Sequence, residues 1–248
     1  MSKTAVAHCR IHHSASSQVD CSHCAAHELA VCSVLNPAET AELGSHANRI
    51  DIPANGVLAR TGQPCRQAYS VTSGMLRLVR SLPDGRRQIA EFLHVGDFVG
   101  LSEAPVYRYN IEAVTHTRVC AFDRDDLRRM RERFPQLEYK LLERACRGLD
   151  SAHDAMLLLA RLAPLERLAS FLVMFQERAR DGNRGLPPNP LVLPMSRSDI
   201  ADYLGLTVET VSRSFTRLRE QGVIALPDPQ IIEILDHAAL IKLAHAVD

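Results

Sequence analysis

The hydrophobic period of this chain changes once, near Phe122, and that change dictates its architecture. Between about Ile50 and Phe122 the apolar residues fall in short runs: Gln67–Val71, Met75–Val79, Ile89–Leu93 and Arg118–Phe122. Gly62, Gly74, Gly85 and Gly96 punctuate them at intervals of 12, 11 and 11 residues. Evenly spaced short strands with turn residues between them imply an antiparallel sandwich or barrel. Pro83-Asp84-Gly85 has the chemistry of a hairpin turn. After Phe122 the period is helical. Asp123 is placed to cap a short helix through Met130, and Pro135 interrupts the pattern.

From Leu137 to about Arg161 the apolar positions Leu141, Leu142, Ala145, Leu149, Ala152, Met156 and Leu159 recur every three or four residues, predicting one long helix. At 1.5 Å per residue it spans roughly 37 Å, more than a small domain's core requires. A second copy of the helix across a two-fold axis buries the surplus face, with Leu149, Ala152, Asp154, Met156 and Leu159 at the seam. A connector helix lying on the barrel is the alternative. Asp154 would face its own symmetry mate there, or else be an ordinary solvated position. Leu165–Arg178 is a further amphipathic helix, and Asp181–Pro190, with two Gly and three Pro, is a loop.

The 248 residues contain no apolar run of membrane-spanning length, and the first twenty residues lack the apolar core of a secretory signal. A cytoplasmic protein without membrane contact is expected. Formal net charge is zero, and from Pro187 onward five Lys/Arg stand against eight Asp/Glu. Any nucleic-acid reading therefore depends on where charges point and not on their sum.

The C-terminal quarter supplies such a placement. Ser196 and Asp199 form a capping-box variant. Ile200, Ala201 and Leu204 give the helix that follows its buried side, and Gly205 stops it. Thr207 then caps a second helix, Val208 to about Gln221, ended by Gly222. Val208, Val211, Phe215 and Leu218 form its buried stripe; Glu209, Ser212, Arg213, Thr216 and Arg217 lie opposite. Arg213 can donate two parallel hydrogen bonds to guanine, Glu209 can accept from the cytosine amine, and Ser212 can meet a base or a thymine methyl. Readers at i, i+3 and i+4 suit a recognition helix entering the major groove. Val223–Leu226, the Pro227-Asp228-Pro229 turn and Ile231–Ile234 make a wing. An ordinary helical hairpin with a solvated face has the same spacing.

The stretch Tyr203-Leu-Gly-Leu-Thr-Val-Glu-Thr-Val-Ser-Arg213 resembles the recognition motif of the FNR branch of the cyclic-AMP receptor (Crp/FNR) family, and the resemblance covers nearly the whole chain. It implies an α+β fold: an N-terminal antiparallel β-barrel (jelly-roll, cyclic-nucleotide-binding-like), a long dimerisation helix and a C-terminal winged helix-turn-helix. The corresponding segments are residues 1–33 (cysteine-rich), 34–135, 136–162 and 163–248. It also implies a homodimer on double-stranded DNA, with Glu209, Ser212 and Arg213 contacting TTGAT-N4-ATCAA-like palindromes. The exposed Pro83–Arg87 turn resembles a family loop that touches RNA polymerase, and is equally a solvated hairpin tip.

Cys21-Ser-His-Cys24, seven residues and Cys32 place three thiols within twelve positions. Such spacing is shared by zinc, redox and iron–sulfur roles. Cys9, Cys65, Cys120 and Cys146 are candidates for a fourth position, with Cys9 nearest in sequence. The resemblance, here to the FnrN/FixK-like subgroup, implies an oxygen-sensing 4Fe–4S cluster on Cys21, Cys24, Cys32 and Cys120. As a strand residue, Cys120 can equally be a small buried hydrophobe; Cys65 and Cys146 are read as structural thiols. The cluster would favour the DNA-binding dimer at low oxygen. Where cyclic-AMP-binding relatives carry Gly-Glu and a later Arg-Ser pair, this chain has Gly96-Asp97 and no Arg-Ser, so no cyclic nucleotide is expected. No catalytic constellation is present, so no enzyme is expected. Two other readings remain open: a regulator sensing a small molecule or thiol redox state, with its cysteines on zinc or unliganded, and an iron–sulfur electron-transfer protein.

Overall fold

The computed structural model describes residues 21, 24–101, 104–181 and 189–244. Its elements run α1 (Pro37–Ser45), β1 (Ala47–Ile52), β2 (Val57–Ala59), β3 (Gln67–Ser73), β4 (Leu76–Ser81), β5 (Arg87–Leu93), β6 (Phe98–Val99), β7 (Asn110–Ala113), β8 (Thr117–Asp123), α2 (Arg124–Arg133), α3 (Pro135–Arg161), α4 (Pro164–Asp181), β9 (Leu191–Val192), α5 (Arg197–Leu204), α6 (Val208–Glu220), β10 (Ile224–Asp228), β11 (Ile231–Ile234) and α7 (His237–Ala244). They form two compact units, one of Met1–Leu78 with Leu93–Glu138 and one of Val79–Phe92 with Tyr139–Asp248.

The strands up to Asp123 make two separate four-stranded sheets, ordered β1-β8-β3-β6 and β2-β7-β4-β5. Both are open, which corrects the expected closed β-barrel. A barrel requires every strand to be paired on both sides. Here β1 and β6 end one sheet, β2 and β5 end the other, and β6 has only two residues. Strand β2 is three residues long and slips register between Val57 and Ala59. Such short strands cannot carry a continuous ladder around a barrel. The α+β class stands.

Ile50, Ile52, Tyr69, Val71, Leu76, Ile111, Val119 and Ala121 form the apolar core of the first unit. Since strand side chains alternate, Ala68, Ser70, Cys120 and Phe122 lie on the opposite face of the β1-β8-β3-β6 sheet. The segment preceding α1 buries Ala26, Ala30, Val31 and Leu35. Asn36 then caps α1 in a full capping box with Glu39, both bonds measuring 2.9 Å. The segment is seated at Gly96. A Cβ there would come within 2.5 Å of the Leu29 carbonyl oxygen, and Gly96 already has φ +91°. We therefore expect Gly96→Ala to cost about 1–3 kcal/mol in denaturant unfolding and to loosen the segment. Unchanged stability would mean that Leu29 is not held there.

In the second unit Phe171, Leu172, Leu191, Ile200, Leu204, Val211, Phe215 and Leu218 are fully or almost fully buried. The Phe171 ring meets Tyr203 at 5.6 Å between centroids, and Tyr203 meets Phe92 at 5.5 Å. Arg167 ties the start of α4 to its neighbours by donating to the carbonyls of Leu162, Leu204 and Leu159. Strands β10, β11 and β9 form a three-stranded sheet ordered β10-β11-β9. The wing thus has a third strand, β9, which the sequence reading did not include, and β10 continues to Asp228 beyond the expected Leu226. Helices α1 and α7 were also not anticipated.

Candidate nucleic-acid interface and thiol cluster

Helix α5 begins at a closed capping box. The Ser196 hydroxyl accepts from the Asp199 N–H at 3.1 Å, and the Asp199 carboxylate accepts from the Ser196 N–H at 3.1 Å. Gly205 ends the helix in the left-handed conformation at φ +63°, where a side chain would be strained. Two residues later the Thr207 hydroxyl accepts from the Thr210 N–H at 3.2 Å, opening α6.

On α6, Val211, Ser214, Phe215 and Leu218 are buried. Val208, expected inside, is 40% exposed at the first turn, where the chain has only just entered the helix. Ser214 takes a place on the inner side by donating to the Thr210 carbonyl at 2.9 Å. Glu209, Ser212, Arg213 and Arg217 are exposed, and Thr216 is half-buried. Hydrogen bonds from its own backbone N–H and from the Thr207 side chain hold the Glu209 carboxyl below the usual carboxylate range. At neutral pH it is therefore an acceptor, as a cytosine amine requires.

Sequence reasoning missed Arg197. Its guanidinium lies over the Phe215 ring, 3.4 Å from the centroid, and its buried Nη1 has no hydrogen-bond partner. Burial lowers its pKa to about 10, which leaves it charged at neutral pH. It lines a groove of about 290 Å³ with Ser212, Phe215, Thr216, Leu226 and Pro227, between α6 and the wing. A basic residue at the first position of α5 was the available signal, but nothing local to it indicates stacking on a ring eighteen positions away.

Of the expected dimer residues on α3, Leu149, Met156 and Leu159 are 57%, 67% and 37% exposed, and Ala152 and Asp154 are exposed beside them. Tyr139, Leu142 and Leu157 extend this uncovered apolar surface. Cys146, read as a structural thiol, is exposed on the same helix, whereas Cys65 is buried.

Cys21, Cys24, Cys32 and Cys120 are half-buried. The Cys24 N–H donates to the Cys21 carbonyl at 3.4 Å, closing a tight turn. Cys120 sits in β8, flanked across the sheet by Arg49 of β1 and Ser70 of β3. Burial chiefly, then the neighbouring Cys21 and Cys24, push the Cys32 thiol up to about 11. Burial chiefly, then Cys24, Cys21 and Cys32, push Cys120 up to about 12.

The four thiols are thus neighbours, but among the described residues no group of three or more His, Cys, Asp or Glu side chains could hold a metal ion. This corrects the expected 4Fe–4S cluster on Cys21, Cys24, Cys32 and Cys120, and with it the iron–sulfur and metal-binding reading and the electron-transfer alternative. A metal site needs its donors to converge on one point, and thiols that influence one another without converging do not supply that. Cys9, the other candidate, lies outside the described residues. Since the thiolate is the nucleophile, we expect iodoacetamide at pH 8 to label exposed Cys146 first. Cys32 and Cys120 should lag by about 100-fold or more, as followed by mass spectrometry. Equal rates would show that the two are not shielded.

His94 and Asp97 make a local turn, with the Asp97 carboxylate accepting from the His94 N–H at 2.8 Å. Among the described residues no helix is long and apolar enough to cross a membrane.

Two family descriptions match the chain: a Crp-like helix-turn-helix domain over residues 166–243 and a cyclic nucleotide-binding domain over residues 49–134. The nitrogen fixation regulation protein FixK of Bradyrhizobium diazoefficiens is 40% identical over 228 residues, covering 91% of this chain and 94% of FixK. The transcriptional activatory protein AadR of Rhodopseudomonas palustris is 38% identical over 225 residues, covering 90% and 92%. The solved structure of FixK2 from Bradyrhizobium japonicum is similar at a TM-score of 0.74 and 34% identity, over 82% of this chain and 99% of that one. With its exposed α6 face and its long apolar α3, the chain belongs to the Crp/FNR family of homodimeric DNA-binding transcription regulators, which are not enzymes.

Proposed function

We propose that this protein is a redox-responsive transcription regulator that reads a palindromic DNA site through α6 and senses thiol redox state through Cys21, Cys24, Cys32 and Cys120. The observation that carries the reading is the exposed row Glu209, Ser212, Arg213 and Arg217 on a helix whose other side is buried. Glu209, Ser212 and Arg213 meet base edges; Thr216 and Arg217 extend the same face, and the charged Arg197 supports it with a donor suited to a backbone phosphate. The close relatives of the chain are named as transcriptional activators and regulators, which accords with it.

The sensing half rests on connection within the first unit. The thiol-bearing segment leads directly into α1, whose Glu39 accepts from the Gln136 side chain at 3.0 Å. Gln136 lies in the first turn of α3, the proposed dimer helix. Moving the segment therefore acts on the foot of the dimerisation element, a contiguous route for biasing a two-state equilibrium.

Fluorescence anisotropy with a TTGAT-N4-ATCAA duplex tests both halves. Affinity should change at least about 10-fold, or ~1.4 kcal/mol, between reduced protein and protein treated with a hydroperoxide, and return on adding dithiol. Equal affinity in the two states would end the redox reading; no preference for the palindrome would end the DNA reading.

A further inference from the structure

Arg167, in the first turn of α4, satisfies three carbonyls that the surrounding helices leave open. Its Nε donates to the Leu162 carbonyl at 2.9 Å, its Nη1 to that of Leu204 at 3.0 Å and its Nη2 to that of Leu159 at 3.0 Å. Leu159 lies in the last turn of α3, and Leu204 is the last residue of α5, where carbonyls have no partner within their own helix. The N–H that would otherwise meet Leu159, that of Ala163, donates instead to the Glu166 carboxylate at 2.7 Å. A cation in a first turn stands at the unfavourable end of its own helix dipole. The C-terminal ends of α3 and α5, both negative, compensate for that. Gly205 is packed at the same point. A Cβ there would lie 3.3 Å from the Leu159 Cδ2 and 3.7 Å from the Arg167 Nη1, and its φ is +63°. The end of α5 is thus seated on the end of α3, and two residues further Thr207 caps α6.

We infer that Arg167 is the positioning residue that fixes the angle of α6 to the dimer helix α3, and thereby sets the half-site spacing that the dimer accepts. This rests on the palindrome reading above and on α3 as the dimer element. Two protomers joined along α3 hold their α6 helices apart by a distance that the α3–α5 junction of each protomer determines. One base pair added between the half-sites moves one of them by about 3.4 Å and turns it by about 35° around the duplex axis. Apolar packing at the junction is non-directional and tolerates such a swing. Three directed hydrogen bonds from one planar guanidinium do not. Losing them should broaden the range of spacings bound while leaving the reading of each half-site to α6.

The test titrates reduced full-length protein, by fluorescence anisotropy, against TTGAT and ATCAA half-sites separated by three, four, five or six base pairs, with a scrambled duplex as reference. The wild type should favour the four-base-pair spacer over the others by at least about 10-fold. In Arg167→Ala that preference should shrink to within about 3-fold, with all four palindromes still preferred to the scrambled duplex and the dimer retained in sedimentation. Arg167→Lys keeps the charge on a single ammonium that cannot fork to three carbonyls, so its spacer preference should collapse too. It also serves as the test if Arg167→Ala fails to fold. An unchanged spacer preference in either folded variant would overturn the role given to Arg167. So would an equal loss of affinity on every duplex, which marks a merely structural residue. A wild type that prefers the palindromes but no one spacing would refute this inference and leave the palindrome reading standing. A wild type that binds the palindromes no better than the scrambled duplex would refute that reading and the inference with it.

Discussion

Arg213→Ala is expected to abolish preferential binding to the palindrome while leaving the protein folded and dimeric. Arg213 is exposed on α6, and its Nε donates at 3.4 Å to the Glu209 carbonyl on its own helix, so the protomer loses little when the guanidinium is removed. On DNA the loss is large. A bidentate arginine–guanine pair contributes about 1–3 kcal/mol of discrimination, and a two-fold dimer loses it twice. The expected cost is about 2–6 kcal/mol, or roughly 30-fold to 10⁴-fold in affinity for the palindrome. Binding to unrelated duplex should change much less, because that term comes from phosphate contacts. The comparison is made by titrating specific and scrambled duplexes at fixed salt. A parallel drop on both duplexes would recast Arg213 as a phosphate contact and remove it from base reading.

Met156→Glu should separate the protomers. Met156 is 67% exposed on α3, so in a lone protomer the substitution meets water and leaves helix content and unfolding nearly unchanged. At a two-fold seam it buries two like charges. Desolvating an unpaired carboxylate costs several kcal/mol, which is more than the ~2.7 kcal/mol needed for a 100-fold rise in the dimer dissociation constant. Analytical ultracentrifugation should show mostly monomer at micromolar concentration, and palindrome binding should fall with it because each protomer then holds only one half-site. A dimer that persists unchanged would place the interface elsewhere than on the exposed apolar face of α3.

The helices were legible because their signals are local. Asp123 caps α2, Ser196 and Asp199 form the box that starts α5, and Thr207 caps α6. Gly62, Gly74, Gly85 and Gly96 all have positive φ, so the regular glycines marked turns as their spacing implied. The closing of the sheets was not legible. Whether β1 and β6 meet other strands depends on long-range pairing, and strand periodicity carries no information about which edges join. Helix α1 escaped notice although its Asn36–Glu39 box is also local, because the segment was read only for its cysteines.

The site was legible in part. Spacing alone put Glu209, Ser212, Arg213 and Arg217 on one exposed face, but placed Val208 inside, where the first helical turn leaves it half in water. The cysteine spacing left zinc, redox and iron–sulfur roles open and favoured Cys9 as the fourth position; Cys120 was named only by the family resemblance, and its thiol is pushed up chiefly by burial, then by Cys24, Cys21 and Cys32. Spacing does not state whether such thiols converge on a point, and no metal-holding group forms among the described residues. Arg197 over Phe215 and Ser70 across from Cys120 depend on tertiary and cross-strand placement, which no local pattern encodes.

The segment from Pro187 onward is mildly acidic, with five Lys/Arg against eight Asp/Glu. Phosphate attraction alone is therefore a weak source of affinity, and base contacts from two protomers have to supply the rest. Equilibrium binding of reduced protein to the TTGAT-N4-ATCAA duplex and to a scrambled duplex, with stoichiometry determined in the same titration, tests this directly. Two protomers per palindrome and a preference of at least about 10³-fold are the expected result. One protomer per duplex, or equal affinity for both sequences, would contradict the account.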